Sequence, residues 1–494
     1  MMATKDDSRL ANALTWAMLA IGVLVRLRHY LHNKSLWLDE AMLAHNVMDR
    51  DYAGLAQPLA QQQMAPLGFL YVSKWVGSLA GYHEMALRFW PLVASLLSLW
   101  LVWRLMRALA PSAWETLAVV ALFALSFRLA YFASEFKQYS SDVFWALACF
   151  WAYHPATLLD RGYGRLLALA LVGAVGVWFS HPLIFGLAGL GFYQGYLLLT
   201  GFSLARAVKL VVVGGAWLAS FAAEYGLILA KDAANRAGMS TYWQDAFLPF
   251  PPRSQADLAT YLNLPQELFY GTLGINGLGW LLMFVALAGA VALWERGRHW
   301  AIGLVAPLLL LVLASALKVY PLSGRLVLFL TPSLAILLGV GLVFVAQRLR
   351  QPLLAGLLLA LVLVQPLAIT AGHLVRPAEE EEVKPLLKHY EQHAQAGDVF
   401  YIHCGGSNAV KYYQAIGYVR LPGRVAFCTL DRAEPLRGIR ADLAQLRAAA
   451  PPRIWVLYSH TLGGEDAYIN QDLGQAKKGR LAKESKGAAL YVFE

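Results

Sequence analysis

Long apolar runs separated by short polar gaps fill the first three quarters of the chain. A helix needs about 20 mostly apolar residues to cross a bilayer. Runs of that kind lie near 11–30, 86–106, 114–134, 141–159, 207–229, 276–294, 300–317, 326–346 and 352–374. The stretch 166–205 carries no Asp, Glu, Lys or Arg and is long enough for two more spans, turning at Ser180-His181-Pro182. The pattern predicts about 11 transmembrane helices. Residues 65–82 are also apolar, but Lys74 interrupts them and Gly and Pro flank them, so they are expected to form an interfacial or re-entrant piece.

After Arg376-Pro377 the pattern changes to Glu379-Glu380-Glu381-Glu382 and then to alternating short strands and amphipathic helices. Asp398–His403 reads as a strand ending before Gly405-Gly406, with Ser407 as cap of a helix through Ile416. Further strands are expected at Arg424–Cys428, Arg453–Tyr458 and Ala488–Phe493, and a helix near 439–449. Strand–helix alternation implies a small α/β domain. Gly405-Gly406 matches a phosphate-binding turn only weakly, because no G-x-G-x-x-G follows. The predicted fold class is a polytopic α-helical membrane protein with a C-terminal extracytoplasmic α/β domain. Residues 1–375 form the membrane part, with outer-face loops 31–85 and 230–275, and residues 376–494 form the tail domain.

Composition agrees: 58% of residues are hydrophobic, 15% are charged, and the mean hydropathy is +0.49, whereas a soluble domain is about 25% charged. The net charge of +10 would suit a nucleic-acid binder if it were clustered on one face. Instead it falls in pairs, at Arg104/Arg107, Arg161/Arg165, Arg206/Lys209, Arg296/Arg298 and Arg348/Arg350. These are alternate loops if the N-terminus is cytoplasmic, so the positive-inside rule repeats five times. The expected partner is the lipid bilayer, not nucleic acid, and the tail is expected outside. The first apolar stretch lacks a small-residue cleavage site and reads as the first span, not a removable signal. Cys149 reads as a small core residue. Cys404 and Cys428 each end a predicted strand, so either a disulfide or two buried thiols fits.

Ionisable residues near membrane spans are costly and mark polar cavities. Here they collect at the expected outer ends. Asp39 and Glu40 follow the first span within Leu36-Trp37-Leu38-Asp39-Glu40-Ala41. On a helix the two would point about 100° apart and need not share one task. Acids at a helix N-terminus are also simply stabilising there. Glu135, Lys137, Tyr139 and Asp142 sit in one turn between spans, and His181 in the next outer hairpin. Arg88 begins the second span, Glu224 lies near the end of the seventh, and Tyr320 and Arg325 precede the tenth. A shared outer cavity lined by carboxylates and cations explains them together, whereas snorkelling or capping would explain each one alone.

At these residues the chain resembles the bacterial GT-C glycosyltransferases, the group that contains protein O-mannosyltransferases and lipid A aminoarabinose transferases. The likeness rests on short motifs in order. These are Trp37-x-Asp39-Glu40-Ala41, Pro66-Leu67-Gly68-Phe69-x-Tyr71, Gly81-x-x-Glu84-x-x-x-Arg88, Glu135-x-Lys137-x-Tyr139, Ser180-His181-Pro182 and Tyr320-Pro321-x-x-x-Arg325. They cover roughly 10–375. The resemblance implies an inverting transfer of a sugar from a polyprenyl-phosphate-linked donor to an extracytoplasmic acceptor, at a bacterial inner membrane with the tail in the periplasm.

By resemblance Asp39 is the catalytic base, and Lys137 and Arg325 steady the donor phosphate, with Arg88 and Lys74 behind them. Glu40, Glu135 and His181 would orient these groups or the sugar, and Tyr139 and Tyr320 would line the donor site. No cofactor is certain. Some relatives use a divalent cation (Mg2+ or Mn2+), for which Asp39, Glu135 and Asp142 would be the oxygen ligands. One departure stands out. Lipid A transferases carry an acid and a lysine before the proline pair, where this chain reads Gln61-Gln62-Gln63-Met64-Ala65-Pro66. Two other classes remain open: a lipid or glycan transporter or flippase, for which no internal repeat is evident, and a non-catalytic membrane module that binds glycan.

Overall fold

Eight helices among the described residues are long and apolar enough to cross a membrane. They are Asp7–His32, Glu84–Leu109, Leu183–Thr200, Leu204–Leu229, Gly279–Arg296, Arg298–Ala316, Gly324–Leu349 and Leu353–Val375. The computed structural model describes residues 5–110, 112–153, 163–349, 351–430 and 434–494; Arg161 and Arg350 lie outside them. The chain is a polytopic helical membrane protein with a small C-terminal sheet domain.

Three further expected spans appear as helices, two of which border residues 154–162, outside the described ones. The run 114–134 is broken into Ala113–Ala124 and Phe127–Phe132, because Ser126 leaves the helix and its hydroxyl accepts the Leu129 N–H as a new N-cap. The runs near 141–159 and 166–180 appear as Tyr139–Tyr153 and Tyr163–Gly176. The apolar piece at 65–82 forms the helix Leu67–Ala80, whose 14 residues rise about 21 Å, short of a hydrocarbon core of about 30 Å.

Contact clustering divides the chain into two compact units. The first contains Met1–Leu31, Tyr52–Ser73 and Arg88–Pro377. Its most enclosed helix is Gly324–Leu349, while Leu353–Val375 leaves most of its apolar surface outward. Two glycines let the central helix pack closely. A Cβ on Gly341 would strike the Val285 carbonyl, and one on Gly289 the Leu337 carbonyl, the small-residue contact by which membrane helices approach. Two buried charged groups have polar partners. Arg296 makes a two-pronged contact with the buried Glu115 carboxylate at 2.7 and 2.8 Å. The buried Arg26 donates to the Ser95 hydroxyl at 2.8 Å and to the Gly22 carbonyl at 2.9 Å.

The second unit contains His32–Asp51, Lys74–Leu87 and Ala378–Glu494. Its sheet has the strands β1 (Val399–Ile402), β2 (Arg424–Phe427), β3 (Ile454–Ser459), β4 (Gly479–Ser485) and β5 (Ala488–Phe493), in the order β2-β1-β3-β5-β4. The first three strands of that order run parallel, and β5 and β4 are antiparallel additions. β1 and β3 are buried along their length, as parallel central strands are. Strand β4 was not expected from sequence, since its exposed edge reads Gly-Arg-Leu-Ala-Lys-Glu-Ser. The helix after β1 begins at Cys404 rather than at Ser407, because the His403 ring accepts the Gly405 N–H and supplies the cap. Cys404 and Cys428 form a disulfide, and Cys149 is a buried thiol. Segments 32–51 and 74–87, assigned from sequence to an outer loop of the membrane part, pack in this unit with the tail.

Candidate functional site

In the second unit Asp39 and Glu40 lie in the first turn of the helix Leu38–Asp49. Their side chains part as the helical geometry requires: Glu40 is fully buried and Asp39 half-buried. The residue before the helix is Trp37, which has no oxygen to cap it, and no side-chain cap comes from it. Glu381 fills that role from the tail, its carboxylate accepting the Leu38 N–H at 3.1 Å. The same carboxylate meets His460 Nδ1 at 2.6 Å. That hydrogen bond raises the His460 pKa against burial, with the charges of Glu381, Asp39 and Glu465 adding to it.

The strand of chain leading into this helix is held residue by residue. The Ser35 backbone N–H and hydroxyl both donate to Glu382, at 2.7 and 2.9 Å. The Leu36 N–H donates to the Tyr413 hydroxyl at 2.8 Å, and that hydroxyl donates to Glu84 at 3.0 Å. Lys384 pairs with Glu84 at 2.8 Å and donates to the Asn33 carbonyl at 2.5 Å. His32 and Glu379 meet at 2.6 Å. Lys74 donates to the Val47 carbonyl at 2.9 Å. The run Glu379–Glu382, legible from sequence only as a change of composition, therefore supplies three of these partners.

In the first unit a separate group of buried polar residues gathers. Lys137 is buried and donates to Gln63 at 2.7 Å, so one of the three glutamines that mark the departure from lipid A transferases sits on the lysine. Glu135 is fully buried in the same turn. Asp142 lies beside Ser180 and His181, and His181 Nε2 is 2.9 Å from the fully buried Glu224 carboxylate. Trp90 donates to Ser141 at 2.7 Å, fixing the first turn of the helix Tyr139–Tyr153. Arg325 stands over the Tyr139 and Trp243 rings, at 5.8 and 5.7 Å, a cation–π geometry. Tyr320 donates to the Leu326 carbonyl at 3.2 Å and packs on Phe185. Arg88 is buried near Tyr30.

Among the described residues no group of three or more His, Cys, Asp or Glu is placed to hold a metal ion. Of the three carboxylates expected as oxygen ligands, Glu135 and Asp142 belong to the first unit and Asp39 to the second. The first unit thus carries buried cations, carboxylates and a histidine among its apolar helices, a costly placement that marks polar surroundings.

The fold is similar to those of solved membrane enzymes. The chain matches the crystal structure of ArnT from Cupriavidus metallidurans in the apo state, with a TM-score of 0.57 and 14% identity, over 97% of both chains. The same protein bound to undecaprenyl phosphate matches with a TM-score of 0.51, again at 14% identity and 97% coverage of each. The Archaeoglobus fulgidus oligosaccharyltransferase in complex with Zn and sulfate matches with a TM-score of 0.52 and 13% identity, over 89% of this chain and 67% of that one. No family model and no curated protein matches the sequence.

Proposed function

We propose that this protein is an integral membrane glycosyltransferase that moves a sugar from a polyprenyl-phosphate carrier to a hydroxyl acceptor on the extracytoplasmic side. The observation that carries the reading is end-to-end likeness of fold, over 97% of both chains, to an ArnT whose structure was also obtained with undecaprenyl phosphate. The Cys404–Cys428 disulfide favours an oxidising compartment for the tail.

Asp39 is the general base. It removes the acceptor hydroxyl proton as that oxygen bonds to the anomeric carbon. The bond from the anomeric carbon to the phosphate oxygen breaks, its electron pair stays on the lipid phosphate, and attack from the opposite face inverts the centre. Lys137 and Arg325 stabilise the charge that grows on that phosphate, with Arg88 and Lys74 adding to the positive field. Glu40, Glu135 and His181 orient these groups or the sugar, and Tyr139 and Tyr320 line the donor site.

The test is transfer of radiolabelled sugar from polyprenyl-phosphate donors in nanodiscs. Wild type should transfer, and a folded Asp39→Asn should lose at least 100-fold, on the scale of a lost general base, about 10²–10⁴. Equal transfer by both would remove Asp39 from the mechanism.

A further inference from the structure

In open α/β sheets, ligands bind outside the carboxyl ends of the parallel strands, where neighbouring connections leave in opposite directions. In the tail sheet that point lies between β1 and β3. The chain leaving β1 turns towards β2, and the chain leaving β3 turns towards β5 and β4. His403 follows β1, and Ser459 and His460 close β3.

The protein's own segment 32–49 stands beside that point. Glu381 stands at the end of β3, within 3.4 Å of the Ser459 hydroxyl and 2.6 Å of His460, and presents its second oxygen to the Leu38 N–H. The helix Cys404–Ala415 lies alongside the helix Leu38–Asp49, and the Asn408 carbonyl meets His45 at 3.0 Å. Gly405 is required at this spot, since a Cβ would run into the carbonyls of Ser459 and His460.

We infer that the tail domain is a positioning device: its ligand site is occupied by segment 32–49, and the carboxylates of Glu381 and Glu382 set the place of Asp39. This rests on the reading of Asp39 as the base. A helix N-terminus has four N–H groups without internal partners. With tryptophan at the cap, the first turn that carries Asp39 depends on an oxygen from elsewhere in the chain. Glu381 supplies it, and Glu382 fixes the approach through both donors of Ser35. Neither residue touches the reacting atoms, so both are positioning residues.

Two readouts test this in the full-length protein in nanodiscs. The first is hydrogen exchange of the amides in 35–42 for Glu382→Ala, Ser35→Ala and Glu381→Gln. The second is transfer kinetics with the donor that supports wild-type turnover, with Asp39→Asn alongside. The expected result is exchange at least tenfold faster in that segment. With it kcat should fall at least tenfold with donor KM unchanged, and Glu382→Gln, which keeps one acceptor oxygen, should recover part of the loss. Ser35→Ala changes no residue of the tail, and unchanged exchange of the β1 and β3 amides in that variant separates a local effect from a tail that fails to fold.

Unchanged exchange overturns the proposal, and so does faster exchange with unchanged kcat while Asp39→Asn is inactive. If Asp39→Asn transfers as wild type does, the base assignment falls. In that case a kcat loss in the Glu382 and Ser35 variants would show that the segment is positioned for another group, and its absence would overturn the positioning role as well.

Discussion

The His181 imidazole lies 2.9 Å from the Glu224 carboxylate, and that carboxylate is fully buried. Glu224 stands within the apolar helix Leu204–Leu229, and His181 sits in the turn between two others. Removing one partner of a buried pair leaves an uncompensated charge, at a cost of about 3–5 kcal/mol. His181→Ala should therefore destabilise the protein strongly, and the double variant His181→Ala/Glu224→Gln should be the more stable of the two. Thermal unfolding in detergent reads the difference. Equal unfolding temperatures for the single and double variants would deny the coupling.

The buried Lys137 ammonium is held by Gln63, and the proposed mechanism turns it to the donor phosphate. Lys137→Gln should lower kcat by about 10²-fold, the effect of removing one preorganised donor from developing charge. Gln63→Ala should do less, since it leaves the ammonium in place. Steady-state transfer kinetics separate the two, and a wild-type kcat for Lys137→Gln would take the lysine out of the phosphate site.

The tail domain should lose stability in acid through Asp398. Its carboxylate accepts two hydrogen bonds from Arg453, at 2.9 and 2.6 Å, one from Trp455 at 2.9 Å and one from the Gln395 N–H at 2.8 Å. Burial alone would raise its pKa, but these bonds and the Arg453 charge outweigh it and hold the group below the usual carboxylate value. A depressed folded-state pKa gives stability that is present above the unfolded value of about 3.9 and is lost as pH falls through the folded value. Asp398→Asn should weaken the tail at neutral pH and flatten its unfolding curve below about pH 4. An unchanged acid limb in that variant would assign the acid sensitivity to other groups.

The disulfide Cys404–Cys428 closes a loop of 24 residues. Constraining a loop of that length stabilises by about 3 kcal/mol. Cys404→Ser/Cys428→Ser should lower the tail's unfolding midpoint accordingly, and reductant should lower the wild type to the same value but leave the double variant unmoved. A reductant effect on the double variant would point to another source.

Much of this architecture can be read from residue order, because a membrane span is a local property. Twenty apolar residues suffice to mark Leu353–Val375 or Arg298–Ala316, and the buried strands β1 and β3 announce themselves in Val-Phe-Tyr-Ile and Ile-Trp-Val-Leu-Tyr. The break at Ser126 was hidden, since Leu125 and Phe127 on either side keep the run apolar. Strand β4 was hidden for the opposite reason, as its exposed side chains give no alternation. Asp39, Glu40 and His181 stand out from sequence as ionisable groups in apolar surroundings. Glu381, Glu382 and Tyr413 do not, because their partners in 35–84 lie more than three hundred positions away and nothing near them in sequence hints at that pairing.

The borrowed cap on the helix Leu38–Asp49 also sets an order of events during synthesis. Leu38 and Glu381 are 343 residues apart, and a ribosome adding about 5–20 residues per second separates their emergence by roughly 20–70 s. Through that interval the first turn bearing Asp39 has no cap. A turn made well before the tail is thus among the last to take its final form, and a chain truncated before the tail should reach the membrane with its spans in place and this turn without the Glu381 cap.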